Sequence, residues 1–126
     1  MLDREKLSKN WSFIEQHNKE AQRNEYWIES ISLSYMMLEV AFWVLLEKKG
    51  VSDEEIDKQK YLIQVANFAR DKGYINGDIY RRVQQFNDTR RLIIHRFVRG
   101  EISYKKDIFE PALRPVDQLF HDILNA

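Results

Sequence analysis

Cysteine is absent from this 126-residue chain, which rules out disulfides, a thiolate nucleophile and any Cys-ligated zinc site. Proline and glycine are scarce, at two and four residues, so few points force a helix to stop. An excess of either charge is missing too. The 20 basic and 20 acidic residues cancel, leaving no global field to draw in a nucleic acid. Long apolar runs are also lacking: the longest, Tyr35 to Leu46, is interrupted by Glu39 and reads as too short and too charged to span a bilayer. Met1 to Lys6 has no apolar signal core behind it, so a cytoplasmic protein with no membrane association is expected. There is no Gly-rich phosphate loop, zinc-protease motif or serine-nucleophile elbow. Asp117 and His121 stand four apart, but two ligands do not make a metal site and a surface ion pair is the simpler reading. No metal and no cofactor are expected.

What is present is helix. The apolar fraction of 44% suits one folded domain spanning residues 1–126, and no β-alternation of useful length appears. A first helix is expected from Asp3 to Asn18, burying Leu7, Trp11, Phe13 and Ile14, and a second from Glu25 to Lys49, stopped by Gly50. Ser52-Asp53-Glu54-Glu55 has capping-box spacing and opens a third, ending near Gly73. Asn76 offers an N-cap for a fourth, which reaches Arg99 before Gly100. The last, Tyr104 to Leu124, carries Pro111 and Pro115, each of which predicts a kink or break. His17 falls near the expected end of the first helix, where a histidine serves the dipole. Short connections make the expected fold an all-α, up-and-down bundle of four to five helices.

Two features of that bundle point beyond packing. From Tyr35 to Leu46 the second helix is apolar on every side. A surface helix shows one stripe, so either its neighbours enclose this one or a second copy covers a face. With so short a chain, a homodimer is the preferred expectation. Glu39 lies inside the run, facing either an ion pair with Arg90 or the task of orienting it. The fourth helix carries the second feature. Ile79, Val83, Phe86, Ile93 and Phe97 follow a 3–4 alternation, and Arg90 takes a slot in that apolar series. A guanidinium cannot shed its charge, so a carboxylate, phosphate or other polar partner is expected for it.

The same stretch reads Asn87-Asp88-Thr89-Arg90-Arg91-Leu92-Ile93-Ile94-His95, an Arg-x4-His spacing. It resembles the hallmark of the HEPN family (higher eukaryotes and prokaryotes nucleotide-binding domains), an Arg-x4-6-His motif often with a polar residue after the arginine. Phe68 to Ile75 followed by Arg82 to Asn87 looks like the family's helix-turn-helix approach, and the resemblance covers about Glu25 to Phe120. It implies a helical bundle that dimerises to bring two motifs together. It also implies a metal-independent endoribonuclease, often the toxin of a toxin–antitoxin or abortive-infection system, with a possible cognate antitoxin as partner. Arg90 and His95 would be the catalytic pair, with Arg91 in the polar slot and Asn87, Asp88 and Glu39 in support. Some HEPN toxins carry a tyrosine two residues after the histidine; Phe97 stands there in this chain, which puts regulation through that tyrosine in doubt.

The chemistry suits these residue types. Metal-free RNA cleavage needs an acceptor for the 2′-hydroxyl proton and a donor for the leaving oxygen, and histidine does either. A guanidinium fork stabilises the charge that gathers on the equatorial oxygens. Between Asp78 and Arg99 six arginines face two acids, an excess of four, which nominates Arg82, Arg96 and Arg99 as RNA contacts. Residues five apart on a helix diverge by about 140°, so Arg90 and His95 do not share a face, whereas Arg91 and His95 do. Two alternatives stay open: a catalytically silent HEPN-like module that binds nucleotide, RNA or protein, and an unrelated helical adaptor.

Overall fold

The computed structural model describes residues 2–126. Among them the fold is all-α: α1 (Arg4–Arg23), α2 (Trp27–Lys48), α3 (Asp53–Asp57), α4 (Leu62–Asp71), α5 (Gly77–Val98), α6 (Lys106–Leu113) and α7 (Val116–Leu124), with no strand. The long elements form the expected bundle. α1 and α2 run antiparallel, since Arg4 pairs with Glu47 at one end while Asn18 meets Ser30 and Ser34 at the other. α5 is antiparallel to the α6–α7 arm, with Arg82 beside Asp122 and Phe97 beside Phe109.

α2 is the axis of the bundle, touching α1, α4, α5, α6 and α7. Eleven of its residues are buried, among them Ile31, Leu38, Phe42, Leu45 and Leu46. Fully burying each such side chain contributes about 1.5–3 kcal/mol, so this helix carries much of the core. Enclosure by neighbours accounts for most of its apolar surface without a second copy. A strip through Met36, Glu39 and Trp43 stays open or half-buried. By length and composition α2 could cross a membrane, longer than the run of Tyr35 to Leu46 suggested, but half of the qualifying stretch is buried inside the fold.

Several expectations need correcting. α1 continues past Asn18 to Arg23, because Asn18 is buried and held by α2 instead of ending the helix. Its Oδ1 accepts from Ser30 Oγ at 2.6 Å, and its Nδ2 donates to Ser34 Oγ at 3.0 Å and towards Met37 Sδ at 3.3 Å. α2 starts at Trp27, since Glu25 reverses the chain with a φ of 60°, a left-handed conformation unusual outside glycine. Phe13 points to solvent, its ring tilted at 51° against His17 with 4.0 Å between ring centroids. With α1 extended, His17 sits mid-helix and not at a terminus.

The expected third helix is two. Ser52 caps α3 as its spacing promised, accepting from Glu55 N at 3.3 Å, but α3 ends at Asp57 and α4 begins only at Leu62. No glycine or proline marks the gap. The freed amides go elsewhere: Gln64 Oε1 accepts from Lys60 N at 2.8 Å, and the Tyr35 hydroxyl accepts from Leu62 N at 3.2 Å. Pro111 lies inside α6 without breaking it; it and Asp107, whose carbonyl loses a donor, are both exposed, where water substitutes. The break comes at Pro115, which leads into α7. α2 receives a tertiary cap as well, because the Tyr104 hydroxyl accepts from Trp27 N and from Ile28 N.

Candidate functional site: a groove on the outer face of α5

α5 begins where expected, with Asn76 Oδ1 accepting from Ile79 N at 2.8 Å and Asp78 in the first turn. It ends at Gly100, whose φ is 73°, a value glycine adopts without strain. Ile79, Val83 and Phe86 enter the main core. Ile93 and Phe97 pack on a second cluster of Trp27, Ile31, Phe109 and Leu113. Arg90 lies between these two groups, in the inward slot its spacing assigned.

Its surroundings are unusual for a half-buried arginine. The guanidinium carbon lies 4.2 Å from the centroid of the Tyr35 ring on α2, a cation–π stack. Nη2 donates to Asn87 Oδ1 at 3.3 Å, and Asn87 is itself buried. Nε is buried with no hydrogen-bond partner. The ion pair with Glu39 does not form: Glu39 is close enough for Arg90 to pull its carboxyl pKa down, but desolvation by burial outweighs this and leaves it raised. Arg90 is therefore held by a ring face and an amide, not neutralised by a carboxylate.

Outward from Arg90 the surface opens into a groove of about 650 Å³ lined by Asp88, Arg90, Arg91, Leu92, Ile94, His95 and Val98. Arg90 and His95 thus line one depression. They make no contact with each other, in keeping with their divergence around the helix, and Arg91 makes no hydrogen bond to His95 either. His95 is exposed, with Arg99 Nη1 3.5 Å from its Nε2; a neutral imidazole can accept there. Arg99 also pairs with Glu101 at 3.3 Å. Leu92 and Val98 are 55% and 77% exposed, so the groove has apolar shoulders as well as a basic floor.

The other nominated arginines divide. Arg99 does not line the groove but touches it through His95. Arg82 is on the far side of α5, paired with Asp122 at 2.7 Å and Asp78 at 3.4 Å, and lines a separate cavity with Ile93, Ile108 and Leu119. Arg82 and Gln118 together hold the Asp122 carboxyl below its usual range. Arg96 is exposed on that same far side. Tyr35 does not line the groove, but it is the Arg90 partner that spacing could not reveal, because its ring comes from another helix. Among the described residues no group of three or more His, Cys, Asp or Glu is placed to hold a metal ion. His121 and Asp117 form a surface pair at 3.9 Å.

No family model, curated protein or solved structure matches the chain.

Proposed function

We propose that the protein is a cytoplasmic, metal-independent endoribonuclease of HEPN type, acting as a homodimer. The reading is carried by one observation: Arg90, free of any ion pair, and the exposed His95 line the same basic groove. One chain supplies one histidine to that groove, whereas cleavage needs both a base and an acid. Two copies meeting across their α5 faces supply two histidines and two arginines, and would cover Leu92 and Val98. In that composite site one His95 accepts the 2′-hydroxyl proton as its oxygen attacks phosphorus. Arg90 stabilises the equatorial oxygens. His95 of the second copy protonates the departing 5′-oxygen, giving a cyclic phosphate and a 5′-hydroxyl end. A toxin or defence role, held in check by a cognate antitoxin, fits such an activity.

A second reading, a silent binding or dimerising module, is favoured by the separation of Arg90 from His95 within one chain. RNA cleavage in EDTA separates the two, run beside Arg90→Ala and His95→Ala with oligomeric state checked by sedimentation. The nuclease reading expects a dimer whose activity survives chelation, with kcat reduced about 10²–10³-fold by Arg90→Ala and about 10²–10⁴-fold by His95→Ala. Activity indifferent to both substitutions, or none on diverse RNAs, rejects it.

A further inference from the structure

An arginine buried beside a carboxylate normally pairs with it, and the pair then has little charge left for a ligand. Arg90 is arranged differently. Its guanidinium carbon sits over the Tyr35 ring, 4.2 Å from the centroid, Asn87 takes one Nη2 hydrogen at 3.3 Å, and Glu39, one turn further along α2, stays short of an ion pair. A ring face takes none of the guanidinium's N–H groups; with Nε buried and one Nη2 hydrogen given to Asn87, the terminal Nη1/Nη2 edge is what remains for a ligand. A charged N–H edge is what a phosphate requires. The platform is itself fixed, because the Tyr35 hydroxyl accepts from Leu62 N at 3.2 Å at the start of α4, which limits rotation of the ring.

Resting on the nuclease reading above, we infer that Tyr35 is a positioning residue. It holds the Arg90 guanidinium at the floor of the groove with its charge open to the scissile phosphate. Tyr35 does not touch substrate; it acts through Arg90. The ring is the working part and the hydroxyl only steadies it, so phenylalanine should substitute and an aliphatic residue should not.

The test is a double-mutant cycle on the full chain, using Tyr35→Phe, Tyr35→Leu, Arg90→Lys and Tyr35→Leu/Arg90→Lys. Each is assayed for cleavage of a fluorophore-labelled single-stranded RNA in EDTA, well below the melting temperature of each variant. Tyr35→Phe is expected within about twofold of the parent. Tyr35→Leu is expected to lower kcat by roughly tenfold with KM little changed, the scale of a desolvated cation–π contact. Arg90→Lys loses the planar fork, and adding Tyr35→Leu to it should cost little more, because the ring then has nothing left to position. A Tyr35→Phe variant as impaired as Tyr35→Leu, or a full tenfold loss on top of Arg90→Lys, overturns the assignment while leaving the nuclease reading intact. If the parent protein does not cleave, that reading fails separately, and the same four variants are compared for RNA affinity by anisotropy. The same non-additivity is expected there, and a parent that binds no RNA overturns the assignment too.

Discussion

Asn18 is the side chain whose removal has the most calculable cost. It is 5% exposed and both of its serine partners are fully buried. Asn18→Ala removes three interactions at once: the acceptor for Ser30 Oγ, the donor to Ser34 Oγ, and the weaker contact to Met37 Sδ. Each good hydrogen bond contributes about 1 kcal/mol net, and each buried hydroxyl left unpaired costs about 1–3 kcal/mol. The stranded serines recover part of this by turning to the carbonyl one turn back along α2. The expected loss is about 2–4 kcal/mol, or roughly 8–16 °C in Tm at about 4 °C per kcal/mol for a chain of this size. The decisive comparison is the triple variant Asn18→Leu/Ser30→Ala/Ser34→Ala, which removes donors and acceptors together and should recover most of the loss. Urea unfolding followed by tryptophan fluorescence at fixed protein concentration reads both. If the triple variant is less stable than Asn18→Ala, the cost lies in packing volume and the hydrogen-bond reasoning is wrong.

Tyr104→Phe keeps the ring against Phe97 and Phe109 but removes the oxygen that caps α2, so a loss of about 1 kcal/mol is expected, read as a Tm lower by about 4 °C. Glu39→Gln tests the balance of burial against Arg90. Because the folded-state pKa of Glu39 is raised, the folded protein binds the proton more tightly than the unfolded one. The cost of ionising Glu39 is therefore absent at low pH and appears as pH climbs from its ordinary value through the raised one. Glu39→Gln should accordingly be more stable than the parent near neutral pH and converge with it in acid; a variant less stable than the parent near neutral pH, with that deficit closing in acid, would show that the attraction to Arg90 dominates.

The α5 stripe was readable because a 3.6-residue repeat imposes it: Ile79, Val83, Phe86 and Phe97 all turn inward, and Arg90 turns inward with them. The mismatch between Arg90 and His95 was likewise helix arithmetic. The gap between α3 and α4 was not readable, because what stabilises it is the Tyr35 hydroxyl and the Gln64 amide, and neither is announced by a glycine or proline. Arg90 shows the same limit. Spacing placed it in the core and demanded a polar partner, but a carboxylate four residues from Tyr35 was the obvious candidate, and the ring was the one that reached it. Partners supplied across the bundle depend on helix rotation, which local pattern does not encode.

The central place of α2 has a consequence for how the chain is made. Synthesis proceeds from the N-terminus, so the most apolar helix leaves the ribosome before α4, α5, α6 and α7, four of the five helices that cover it. Two of the elements that cover it, α6 and α7, follow only much later, and α7 starts 68 residues after Lys48. At about 5–20 residues per second that is a delay of roughly 3–14 s. Tyr104, whose hydroxyl caps the start of α2, emerges within the same interval. For those seconds the nascent chain presents a sticky, uncapped rod to the cell. Efficient production should therefore depend on holdase chaperones and suffer when translation pauses between α4 and α6, even where the finished bundle is stable.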